Sequence, residues 1–227
     1  MKNNSRLIGS LLVLASLLLA TGCTQVNEMP SYSARIQAIE VSSAVVRPGE
    51  VSFMMLAGRD MSDPNQAAVE VTEQRIRERL LDRLDQLAHP AIVADVATQS
   101  LIASFERRLP WEVYPASSAE VDASFRVEIT EYGVEVDQNG LATVHYTADI
   151  TGFYLPDNVL IYEETVRSSV PLTEEHRGQD PASAAAARAL NLLTLDQLSE
   201  DEFQQRIFYG ADLAADDVAL ELADDTF

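Results

Sequence analysis

Phe125-Arg126-Val127-Glu128-Ile129, then Val134-Glu135-Val136-Asp137-Gln138-Asn139-Gly140-Leu141-Ala142-Thr143-Val144-His145-Tyr146, is the stretch that decides the fold. Apolar and polar residues alternate at the period of a strand with one buried face. Asp137-Gln138-Asn139-Gly140 interrupts the alternation as a hairpin turn, because Asn-Gly readily takes up positive φ. The return strand runs through Ala142, Val144, Tyr146, Ala148 and Ile150 toward Tyr154. Pro156-Asp157-Asn158 turns the chain again, and Val159, Ile161, Val166 and Val170 mark a third strand. An antiparallel meander follows.

Upstream, the periodicity is helical. Ile76, Leu80, Leu84 and Leu87 share one helix face, opposite Arg75, Glu78, Arg79, Asp82, Arg83 and Asp85. Asp63-Pro64 is an N-cap with the favoured first-turn proline, and Pro90 ends the helix. Ala91 to Leu109 reads as a second helix, with a strand over Ile92 to Val96 as the alternative. Ile36, Ala38, Ile39 and Val41 suggest a first strand, Val51 to Leu56 a second after Pro48-Gly49, and Trp111-Val113-Tyr114 a short one between prolines.

Downstream, Asp180-Pro181 repeats the cap-and-proline start ahead of an alanine-rich helix. Ser199 and Glu202 form a capping box that opens a final helix toward Leu222. Residues 196–227 carry ten acids and a single basic residue, Arg206. The fold class expected is α+β: an antiparallel meander sheet with helices packed on one face, plus a C-terminal helical segment.

The first residues read differently. Lys2 and Arg6 precede a run from Leu7 to Ala20 that is almost wholly apolar. It is shorter than the ~20 residues a permanent transmembrane helix needs, and its flanks fit a signal peptide. Ala20-Thr21-Gly22-Cys23 follows at once and resembles the lipobox of bacterial lipoproteins, with Ala20 where that family most often has Leu. The resemblance implies cleavage between Gly22 and Cys23, lipid on the Cys23 thiol and, from Thr24, delivery to the periplasmic face of the outer membrane. Several acyl chains, at ~0.8 kcal/mol per buried methylene, suffice for stable anchoring. The organisation expected is a signal peptide over 1–22, a lipidated tether over 23–34, an α+β domain over 35–195 and an acidic C-terminal helix over 196–227 packed on it.

Charge and composition remove several functions. The net charge is −20 and becomes −22 once Lys2 and Arg6 leave with the signal. Such a chain is repelled by nucleic-acid phosphates, so no nucleic-acid partner is expected. Lys2 is the sole lysine, which leaves the mature chain without Schiff-base or lysine-dependent phosphate-loop chemistry. Cys23 is the sole cysteine, so no internal disulfide forms.

No residue pattern marks a catalytic, cofactor or metal site, and none is assigned. His145 is the best start for a metal site, with Glu128 or Glu131 as a partner across the hairpin, but an exposed strand histidine explains it. His176 follows Glu174-Glu175 in an acidic loop. Glu163-Glu164 and Asp216-Asp217 read as surface charge, and Asp137 to Gly140 as a turn rather than a calcium loop. Trp111, Tyr114, Phe125, Tyr132, Tyr146, Phe153, Tyr154 and Tyr162 concentrate aromatics in the sheet, as core or as a recognition patch.

The function expected is a non-catalytic, membrane-anchored domain that binds an unidentified envelope protein. In its order of elements, residues 35–222 look like small α+β lipoproteins that assist outer-membrane assembly, such as the lipopolysaccharide-transport lipoprotein family. A periplasmic hydrolase or a lipid-carrying module are the alternatives.

Overall fold

The computed structural model describes residues 26–54, 64–117, 120–173 and 181–226. A single-turn helix α1 (Met29–Tyr32) leads into β1 (Ala38–Val45) and β2 (Glu50–Phe53). Helices α2 (Pro64–Leu87) and α3 (Pro90–Arg108) follow, then β3 (Glu112–Pro115), β4 (Ala123–Val136), β5 (Ala142–Tyr154) and β6 (Val159–Pro171). Helices α4 (Pro181–Gln197) and α5 (Glu200–Thr226) complete the fold. Pro64 and Pro181 are the first helical residues, while their expected caps Asp63 and Asp180 lie outside the described residues.

The class is α+β, but the sheet is mixed. β4, β5 and β6 pair antiparallel as the alternation predicts. β1 lies between β3 and β4 and is parallel to both, and β2 also joins β4 in parallel. This corrects the expectation of a purely antiparallel meander. The chain travels from β1 to β4 through α2 and α3, and a crossover of that length returns it in the same direction. Alternation shows that one face of a strand is buried and is silent on strand direction. The alternative strand over Ile92 to Val96 is helical, inside α3, where Pro90 occupies the first turn and the His89 side chain accepts from Ala91 N at 3.4 Å.

One sheet face is covered by helices. Val127, Val134, Val144 and Ile150 point inward from β4 and β5, and meet Ile76, Leu80, Val93, Leu101, Phe105, Ile207 and Leu222 from α2, α3 and α5. Phe105 and Phe125 meet edge to face with centroids 6.0 Å apart. Two buried tyrosines tie the layers together with oriented bonds. Tyr132 donates to Ala88 O at 2.8 Å and Tyr146 to Ile207 O at 2.8 Å, while their rings stack at 6.1 Å. A Cβ on Gly210 of α5 would come within 2.8 Å of the Tyr146 ring, so glycine lets this helix lie close on the sheet.

β4 carries a bulge between Ile129 and Glu131. Beside it the neighbouring strand breaks, so β1 pairs with the half of β4 before the bulge and β2 with the half after it. Gly133 stands where β2 approaches; a Cβ there would lie 2.0 Å from Glu50 O.

Part of the segment 23–34, expected as a tether, is built into the domain. Glu28 N donates to Ile161 O and Glu163 N to Val26 O, each at 2.8 Å, so Val26 to Glu28 extend the sheet at the free edge of β6. Met29 is then fully buried and Tyr32 meets Tyr154 with ring centroids 5.1 Å apart. A polar segment with one proline resembles a linker in composition, and only the tertiary contacts of Met29 and Tyr32 distinguish it.

Replacing Gly133 with alanine forces its methyl into the Glu50 carbonyl and should destabilise the protein by about 2–3 kcal/mol, the overpacking range. The denaturant midpoint should fall with an unchanged slope. A midpoint equal to that of the wild type would contradict the close approach of β2.

Candidate functional site

Side chains with chemical capability collect where β6 meets the end of α5. Tyr162 and Glu164 are two residues apart on β6, and Glu221 and Asp225 are one helical turn apart on α5. Glu164, Glu221 and Asp225 each offer a carboxylate oxygen within 4.8 Å of the other two. The Tyr162 hydroxyl donates to Glu164 at 2.5 Å and lies 3.4 Å from an Asp225 oxygen. Burial pushes the Tyr162 hydroxyl far above the ordinary phenol range, and its bond to Glu164 adds to this. Desolvation pushes the Glu221 carboxyl up, reinforced by Glu164, Asp225, Asp224 and Asp217. This all-oxygen set is the type hard divalent cations take.

A second feature is a groove of about 490 Å³ between α3 and α5, lined by Gln99, Ser100, Ser104, Arg107, Asp212 and Asp216 among others. Its polar groups largely satisfy one another. Ser100 donates to Asp212, and Arg108 holds Asp216 through bonds of 2.9 and 2.5 Å. Donation from Arg108 keeps the Asp216 carboxyl below the usual range, against a smaller desolvation effect.

Gly22 and Cys23, the expected cleavage and lipidation residues, lie outside the described residues, as does His176. His145 is on β5, on the sheet face away from the helices. Its direct neighbours are Gly133 on β4 and Ser169 on β6. Glu128 pairs with Asp149 and Glu131 with Thr147, so neither stands opposite His145 as the sequence suggested. The His145 Nδ1 atom is buried without a hydrogen-bond partner among the described residues.

Asp137 is used by its own turn, where its Oδ1 accepts from Asn139 N at 2.7 Å and Leu141 N at 2.9 Å, and Gly140 takes φ of +77°. Trp111, Phe125, Tyr132, Tyr146, Tyr154 and Tyr162 are buried, whereas Phe153 is exposed. The two acidic pairs divide: Glu164 and Asp216 each engage a specific partner, Tyr162 and Arg108 respectively. The carboxylate cluster was missed because its halves are 57 or more positions apart in the chain. The local signals, two polar residues on one strand face and two acids on one helix face, do not announce their pairing. Among the described residues, no helix is long and apolar enough to cross a membrane.

No protein-family model matches the chain, and no curated protein matches it in sequence. Solved structures show weak likeness. A DUF330 protein from Xanthomonas campestris has a TM-score of 0.36 and 12% identity, over 77% of this chain and 86% of that one. A PelC dodecamer subunit from Paraburkholderia phytofirmans has 0.31 and 10%, over 71% and 89%. The lipoprotein GNA1162 from Neisseria meningitidis has 0.26 and 10%, over 71% and 99%. Likeness of this degree carries no conclusion about role.

Glu221 binds its proton more tightly in the folded chain than in the unfolded one. Its contribution to stability is thus complete below the unfolded value, about 4.3, and is lost as pH rises through the raised folded value. Glu221→Gln should therefore raise the melting temperature at neutral pH, with the gain vanishing in acid. A gain independent of pH would show that the raised Glu221 carboxyl, desolvated and beside other acids, is not its source.

Proposed function

We propose that this chain is a bacterial lipoprotein whose domain is held at a membrane by lipid on Cys23 and binds another envelope protein without catalysis. The observation that carries the reading is Ala20-Thr21-Gly22-Cys23 directly after the Leu7 to Ala20 apolar run. The outer membrane, periplasmic face, is the site favoured by Thr24. A non-catalytic role is supported by the way polar groups are spent: Ser100 is tied to Asp212 in the groove, and His145 lies beyond the sheet from it. A protein partner is supported by α4, which buries Ala187, Leu192 and Leu195 yet leaves Leu190 and Leu193 each 49% exposed.

Cells fed a radioactive fatty acid should label the wild-type protein and leave Cys23→Ser unlabelled. Mass spectrometry of the purified mature chain should show acyl mass at Cys23; a bare thiol or an attached leader would sink the reading. For the partner, a photo-crosslinking residue at Leu193 in intact cells should give one reproducible adduct that the same residue at Thr147, on the sheet face away from the helices, does not. Indistinguishable patterns from the two positions would remove α4 as the docking surface.

A further inference from the structure

We infer that the outward face of α5, together with the groove it shares with α3, docks a basic amphipathic helix of another protein. This surface is carried by residues other than those of the α4 face invoked above. The first observation is apolar. Tyr209 and Leu220 are large side chains left 50% and 42% exposed, and Leu213 between them is half-buried. Positions 209, 213 and 220 are spaced by four and seven, so they share one helix face. The stripe runs along about 16 Å of the helix axis. It is distinct from the side α5 buries in the core through Ile207, Val218 and Leu222. The groove opens beside the same stripe, with Leu213 and Ala103 as apolar lining and the small Ser100 and Ser104 on α3. Its volume of about 490 Å³ falls within the ~300–1,000 Å³ of ligand clefts.

The second observation is charge, and it selects the occupant. Asp212, Asp216, Asp217, Glu221 and Asp224 accompany the stripe, and α5 carries no basic residue after Arg206. Asp216 is matched by Arg108 and, at 3.7 Å, by Arg107. Asp212 accepts from Ser100 through one oxygen and has no cationic partner among the described residues. Asp217, Glu221 and Asp224 have none either among those residues. The apolar stripe is therefore bordered by uncompensated negative charge, which repels nucleic acid and anionic headgroups. A second copy seated face to face would bring acid against acid, the juxtaposition that rejects a wrong partner. What fits is a helix with apolar residues at spacings of three and four, flanked by lysine or arginine. A long basic side chain suits the groove itself. Its methylene stem lies on Leu213 and Ala103 while its charged head reaches Asp212. Arg107, also in the lining, already serves Asp216 and so confines an incoming cation to the Asp212 end.

The test is photo-crosslinking in intact cells, with the full chain carrying the reactive residue at Tyr209 or Leu220 and, as a control, at Thr165 on the sheet face away from the helices. Sequencing the captured peptide by mass spectrometry reads the chemistry of the occupant. Both α5 positions should capture one segment, net positive and with apolar residues at helical spacing, and Thr165 should not. With the reactive residue at Tyr209, the combined change Asp217→Asn, Glu221→Gln and Asp224→Asn should cut the adduct several-fold at unchanged protein abundance. Leu220→Ser should do the same. The Leu193 adduct, which reports on α4, should persist in the triple variant; its loss there would show one shared surface and overturn a separate α5 site. A captured segment that is acidic or uncharged, a segment of this chain, an acyl lipid, or no adduct above the Thr165 level would also overturn the proposal. So would an adduct indifferent to the three substitutions.

Discussion

The structure depends on how tightly the chain passes β4. That strand is flanked on one side by β5 along its whole length and on the other by two short segments that share its edge. The bulge between Ile129 and Glu131 alters the twist of β4, and the neighbouring strand would lose register if it ran on without a break. It breaks there instead. Val46 N still donates to Ile129 O at 2.9 Å, the chain steps through Pro48 and Gly49, and pairing resumes at Glu50 opposite Gly133. Because the bulge and the break coincide, Tyr132 and Tyr146 land side by side on the inner face, where their hydroxyls reach carbonyls of the helical layer. The seat of α5 thus follows from a local defect in β4, a strand separated from it along the chain by β5, β6 and α4.

Legibility in the sequence followed the range of the interaction. The β4–β5 turn was readable because every determinant is local: Asp137 caps the turn it begins and Gly140 adopts the positive φ that the turn requires. The helices were readable where apolar spacing is regular, as at Ile76, Leu80 and Leu84, all buried. The parallel pairing of β1 and β2 was not readable, since residues 39–45 bond to residues 123–129 across two helices. Alternation fixes which face of a strand is wet and leaves its partner open. The carboxylate cluster failed for the same reason. Glu164 and Glu221 carry no mark of each other, and on β6 Glu164 occupies an inward position where the alternation leads one to expect an apolar side chain.

The arginines show how an acidic chain keeps its helical layer. With no lysine after position 2, the layer is clamped by guanidinium groups that span elements. Arg79 bonds Asp196 at 2.6 Å, Arg83 bonds Leu198 O at 2.8 Å, and Arg108 takes Asp216 through two nitrogens. Arg188 is nearly buried; it pairs with Glu73 and also donates to the carbonyl of Gln138 in the β4–β5 turn. Asn191, fully buried, adds a bond to Asn139 O at 2.9 Å. A buried pair of this kind adds little net stability over an apolar contact, but breaking it leaves a buried charge uncompensated, so it fixes where α4 sits.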